Sequence, residues 1–136
     1  MRRSIALAAL FAASRLCGGD LPPEIRAKVV KVLAASAGSP GKVACKDPVL
    51  AAELAKGGCA NEPGAVVAYA GSEEEVRSLR GTGKLVICGR VALLAAGAAV
   101  AVVEEENRPQ IYFHMAHLGE NKVTLSDAVL KIGRKL

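Results

Sequence analysis

The sequence predicts an α/β fold: one three-layer domain, a mostly parallel sheet with helices on both faces, an antiparallel C-terminal hairpin and a closing helix. Three observations carry this expectation. The runs KVAC, AVVAYA and KLVIC are apolar without the polar alternation of a half-exposed strand, so both faces of their sheet should be covered. Between them lie segments with helical spacing and capping residues, the alternation that builds parallel sheets. The runs AAVAVVEE and QIYFHM are separated by a turn too short for a crossover, so this last pair should be antiparallel. A chain of 136 residues suffices for one domain with a modest core, and it contains no internal repeat or low-complexity segment.

Each element has its own local signal. LPPEIRAKVVKVLAASAG starts with Pro22 and Pro23, carries Glu24 in its first turn, and ends at Gly38. Ile25, Val29, Val32 and Leu33 share a face at helical spacing. SPGK is a turn and KVAC a strand. In DPVLAAELAKGG, Asp47 is the cap, Pro48 the first helical position, Leu50 and Leu54 the inner side, and Gly57-Gly58 the stop. AVVAYA is the next strand. Ser72 and Glu75 form a capping box for EEEVRSLR, whose Val76 and Leu79 face inward. KLVIC is a strand, VALLAAG a weak helix, and ENRP the hairpin turn. The closing helix places Leu125, Ala128 or Val129, Ile132 and Leu136 on one side, with Asp127 at its start and Lys131, Arg134 and Lys135 at its end. Leu125, Val129, Leu130 and Ile132 are expected to dock it on the sheet.

The first fourteen residues, MRRSIALAALFAAS, follow the charged, apolar, small-residue order of a secretory signal, with cleavage after Ser14 or as late as Gly19. The mature domain then begins near residue 20 and the expected address is the periplasm. A lipid-anchored form through Cys17 is the alternative, although Leu16 before it is bulky. Neither apolar run, residues 5–13 or 91–103, is long enough for a hydrocarbon core of about 30 Å. Losing residues 1–14 leaves 16 basic against 13 acidic residues, a balance of +3. With 3% aromatic residues and no dense Lys/Arg stripe, nucleic acid is not an expected partner.

The cysteines, at 17, 45, 59 and 88, are candidate disulfide partners in an exported chain, and three complete pairings are open. A Cys45–Cys59 bridge is the candidate here. Its loop of fourteen residues would give about 3 kcal/mol in the chain-entropy picture. Cys88, closing an apolar strand, reads as a buried thiol.

Catalytic patterns are thin. GSPGK lacks the strand and spacing of a phosphate loop, and RGTGK precedes a strand rather than a helix. His114 and His117, three apart on a strand, would point to opposite faces, which is poor for shared metal ligation. There is no Cys-x-x-Cys. The acidic runs 73–75 and 104–106 read as a solvated helix start and a hairpin tip, and Ser72, Ser126 and Asp127 as caps. No catalytic residue, cofactor or metal is expected, and the chain is read as a non-enzyme.

From about Pro23 to Leu136 the pattern resembles the YfiR-like (YfiR/HmsC-type) family of periplasmic regulators. The resemblance is carried by LVICGRVALLAAGAAVAVVEEENRPQIYFHMA, with Gly97, Asn107-Arg108 and Phe113 in place, and by KVTLSDAVLKIGRKL through Val123, Leu125, Ser126, Leu130, Lys131, Ile132 and Arg134. The Phe and Trp-Pro of the family's first helix have no counterpart in KVVKVLAASAGSPGK. The resemblance implies a binding protein that represses an inner-membrane diguanylate cyclase through the cyclase's periplasmic sensor part, lowering cyclic-di-GMP signalling and biofilm formation. It also implies tuning by disulfide state. A monomer and a homodimer both stay open. The alternative is a periplasmic small-ligand-binding module, with its cleft at the carboxyl edge of the parallel strands near Cys45, Gly71-Ser72 and Gly89-Arg90.

Overall fold

The computed structural model describes residues 21–136. The expected export segment, Cys17 and both expected cleavage sites lie outside the described residues. From Leu21 onward the chain forms helix α1 (Pro23–Ser36), β1 (Lys42–Cys45), α2 (Pro48–Lys56), β2 (Ala60–Asn61), β3 (Val67–Ala70), α3 (Glu73–Leu79) and β4 (Leu85–Cys88). A 3-10 turn (Val91–Leu94), β5 (Val100–Glu105), β6 (Arg108–Phe113), α4 (Met115–Glu120), α5 (Asp127–Leu130) and β7 (Arg134–Lys135) complete it. The strands form one sheet in the order β2-β1-β3-β4-β5-β6-β7, parallel throughout except for β5–β6. The expected α/β class, the parallel sheet and the C-terminal hairpin are all present.

Local chemistry explains the element boundaries. Asp47 accepts from the backbone N–H groups of Val49 and Leu50 and starts α2, with Pro48 fixing the first turn. Ser72 accepts from Glu75 N–H at 3.3 Å, while the Glu75 carboxylate reaches back one residue further than a capping box, to Gly71 N–H at 3.0 Å. The hairpin pairs Glu105 with Arg108, so Glu106 and Asn107 alone make the turn, both with positive φ. That left-handed pair matches the right-handed twist of the strands it joins.

Alternate strand residues feed two cores. On the first face, Val43, Val67, Leu85, Ile87, Val100 and Phe113 pack beneath α1 and α2. On the second, Ala70, Val86, Cys88, Ala101 and Val103 pack against Val76 of α3 and Leu93 and Leu94 of the 3-10 turn. Each fully buried Leu or Val contributes about 1.5–3 kcal/mol by leaving water. Helix α1 buries Ala27, Val30, Leu33 and Ala34 and turns Val32 outward, so its inner face is rotated from the expected one.

The closing segment differs from the expected helix. Leu125 and Val129 are buried and Leu130 packs partly against the first core, but Ile132 is 59% exposed. Helix α5 is a single turn, after which the chain extends into β7. The cause is the outer edge of β6, whose backbone groups need partners. Arg134 pairs with Tyr112 and Lys135 with Phe113, and Leu136 N–H donates to Phe113 O at 2.7 Å. Gly133 lets the backbone come this close, since a Cβ there would run into the Phe113 ring and sit 2.7 Å from Ile111 O. A second unexpected helix, α4, fills the interval between β6 and α5. Ser126 caps α5 and is tied to α1 through Ser36.

The Cys45–Cys59 bridge is corrected. Both cysteines, and Cys88, are buried free thiols. In the parallel register Lys42 lies opposite Ala60, so Cys59 is level with Gly41 and four residues from Cys45 along the strand. That is about 13 Å, whereas a disulfide needs Cα atoms within about 7 Å. Cys88 joins the second core while Cys45 and Cys59 join the first, so the sheet itself separates it from Cys45.

Candidate binding cleft

The chain leaves β1 for β2 on one side, then returns to β3 on the other. Strand order therefore reverses between β1 and β3, the place where open parallel sheets leave a crevice beyond their carboxyl ends. A second feature deepens it. The link from β2 to β3 is a short loop, residues 62–66, with no helix. Among the described residues, the second face of β1 and β3 consequently carries α3 along one side and no helix where a crossover helix would lie.

A cleft of about 270 Å³ occupies that position. Its floor is Ala44 and Ala68, small side chains on the second face. Pro63 and Leu79 form its apolar walls, Cys45, Lys46 and Glu75 stand at the carboxyl end, and Lys84 stands at the start of β4. Asn61 is spent on structure: its Oδ1 accepts from Cys45 N–H at 3.0 Å and its Nδ2 donates to Cys45 O at 2.7 Å, extending the β1–β2 pairing through a side chain. The Cys45 thiol donates to Asp47 O, and burial raises its pKa, so it is held as the thiol and not as a nucleophile. Lys84 Nζ donates to Pro63 O at 2.8 Å, which places the ammonium at the lower end of the cleft.

The residues expected around such a cleft separate. Cys45 lines it, and Gly71-Ser72 border it through their bonds to Glu75. Gly89-Arg90 do not. A Cβ on Gly89 would lie 2.6 Å from the Tyr69 hydroxyl and 3.6 Å from the Arg26 guanidinium carbon, so these strand ends are stoppered by α1. Arg26 sits 5.8 Å from the Tyr69 ring centroid and donates to Leu21 O. Sequence reasoning missed Arg26, Tyr69, Asn61 and Lys84. The Asn61 clamp had no signal, because it depends on which strand lies beside β1.

The histidines also lie differently from expectation. His114 caps α4, its Nδ1 accepting from His117 N–H, and the two rings stack 3.7 Å apart. His117 is buried with Nδ1 at 3.0 Å from Ala98 O, and its Nε2 is 3.8 Å from Glu120. Burial, then the neighbouring His117, holds His114 below its usual pKa. Glu120 also pairs with Arg80, which lies across Gly97. This cluster is at the opposite edge of the sheet from the carboxyl strand ends. Among the described residues, no group of three or more His, Cys, Asp or Glu is placed to hold a metal ion, and no helix is long and apolar enough to cross a membrane.

No family model matches the chain, and no curated protein does. A crystal structure of a conserved domain protein from Vibrio cholerae O1 biovar eltor str. N16961 is similar to it, with a TM-score of 0.62 at 13% sequence identity. The similarity covers 85% of this chain but 60% of that protein, so the chain spans less than two thirds of its length. It is a likeness of fold.

Proposed function

We propose that the chain is an exported, non-catalytic regulatory protein that represses an inner-membrane diguanylate cyclase from the periplasmic side. The observation that carries this reading is where the residues of the YfiR-like resemblance fall. Gly97 adopts a φ of +130° beneath the Arg80 side chain, Asn107 shapes the hairpin turn, Phe113 is buried beside β7, and Ser126 caps α5. These four residues help build the C-terminal unit, whereas Ile132, which also carries the resemblance, is exposed.

The reading predicts that deleting the gene raises cyclic-di-GMP and biofilm, and that crosslinking the mature chain in intact cells captures a membrane protein with a periplasmic sensor part and a cyclase domain. Unchanged cyclic-di-GMP in the deletion strain would overturn it. N-terminal sequencing of the exported form should begin at Arg15 or Asp20, and recovery of intact Met1 from the cytoplasm would overturn the address.

A second reading, a small-ligand-binding module, is favoured by the cleft itself. It joins an apolar floor to an ammonium held by Pro63 O at a strand-order reversal. The two readings are compatible, since a ligand there could bias a partner-binding state.

A further inference from the structure

We infer that the cleft over β1 and β3 binds a small apolar molecule bearing a carboxylate, with the carboxylate at Lys84 and the apolar body across Ala44, Ala68 and Leu79. This rests on the ligand-binding reading and assigns the ligand its chemistry.

Hydrogen-bonding capacity decides the class. Asn61 has given both ends of its amide to Cys45, and the Cys45 thiol is engaged with Asp47 O. Ser78 donates to Glu75 O within its own helix. Lys84 differs, because among the described residues its bond to Pro63 O leaves two of its three N–H groups to offer. The bond to the Pro63 carbonyl already directs that ammonium to the cleft, which lowers the ordering entropy lost on binding. An anion is the partner that uses such donors best.

Orientation follows from the ends of the cleft. Glu75 opens α3 at the carboxyl end of the strands, whereas Lys84 precedes β4 at the opposite end. At the carboxyl end Glu75 offsets the attraction of Lys46, whereas no lining carboxylate opposes Lys84 at the other end. The two alanines and Leu79 between these ends offer apolar contact and no donor. A volume of about 270 Å³ falls just under the usual range for drug-sized ligands, so the molecule is smaller than that class.

The test titrates the mature chain with benzoate and phenylacetate against their neutral amides, benzamide and phenylacetamide, by calorimetry and by amide chemical shifts. The acids should bind at least about tenfold more tightly than the amides. Shifts should centre on Ala44, Ala68 and Leu79. Lys84→Gln should bring acid affinity down to the amide level, and Ala44→Val should weaken acid and amide alike by filling the floor. Thermal unfolding establishes that both variants are folded, and Lys84→Met serves if Lys84→Gln is not. Equal affinity for acid and amide would overturn the carboxylate assignment while leaving a ligand site. Binding by neither at millimolar concentration would overturn the ligand-binding reading as well. Shifts centred elsewhere would overturn the location.

Discussion

The two faces of β1 and β3 are made from the same eight residues, yet they have opposite fates. On the first face Val43, Cys45, Val67 and Tyr69 sit beneath two helices. On the second, Ala44 and Ala68 floor a cleft. The difference is not in the strands' own propensity. It comes from the connections: α1 and α2 are spent on the first face, and the β2–β3 link, which could have supplied a helix to the second, is a short loop. A missing crossover leaves a ligand-sized slot, and small residues keep that slot from collapsing into a core.

The largest expected effect tests the sealed face. Leu33 of α1 is fully buried in the first core, so Leu33→Ala should lower unfolding free energy by about 2–5 kcal/mol. A urea denaturation series measures this, and a loss below about 1 kcal/mol would mean the first face is not sealed as described.

Gly89→Ala probes the stopper between the faces. The added methyl would meet the Tyr69 hydroxyl and the Arg26 guanidinium, and overpacking of this kind costs about 1–3 kcal/mol. Thermal unfolding reads the loss, and wild-type stability would show that Arg26 and Tyr69 can move aside.

A smaller effect concerns the far edge of the sheet, where polar side chains meet the backbone. His114 is held below its ordinary pKa by burial, by the stacked His117 and by Arg80, against the opposing pull of Glu120. The folded chain therefore binds fewer protons there than the unfolded chain. The stabilisation is full above the ordinary value of 6.5 and is lost as pH falls through the folded value. His114→Asn puts an acceptor oxygen in place of Nδ1 at the cap and does not titrate. The urea midpoint of the wild type should fall more steeply than that of His114→Asn as pH drops from about 7 to 5. Parallel curves would remove the assignment.

The smallest effect is at Ile132. Being mostly exposed, Ile132→Ser should change stability by less than about 0.5 kcal/mol. Val129→Ala, by contrast, removes a buried side chain of the same segment and should cost more. Equal losses would mean Ile132 is covered in solution.

The resemblance and the cleft speak to different halves of the molecule. The YfiR-like residues gather in the hairpin and closing segment, whereas the slot lies over β1 and β3 and is lined by residues without that signature. The proposed repression and the proposed ligand binding can therefore be tested separately by mutation. Ala44→Val should weaken ligand binding while the proposed partner capture persists.

By itself the sequence determined the class of the fold and most of its boundaries. Continuous apolar runs set the buried strands, Asp47 and Ser72 set helix starts through bonds to residues two or three positions on, and the span from Glu104 to Pro109 set a tight hairpin. All of these are short-range, so the information lies in a few adjacent residues. Tertiary structure decided the rest. Whether Cys45 meets Cys59 depended on the register of β2 beside β1, and one parallel register places them far apart. Whether residues 131–136 continued a helix depended on the open edge of β6, whose backbone pairing outweighed a helical apolar pattern. The cleft depended on an absence, a helix not placed between β2 and β3. Its lining comes from β1, β2, β3, α3 and three loops that no spacing along the chain could bring together. Burial pattern is written locally in a chain, but partnership between distant strands is fixed only when the whole sheet satisfies its backbone groups at once.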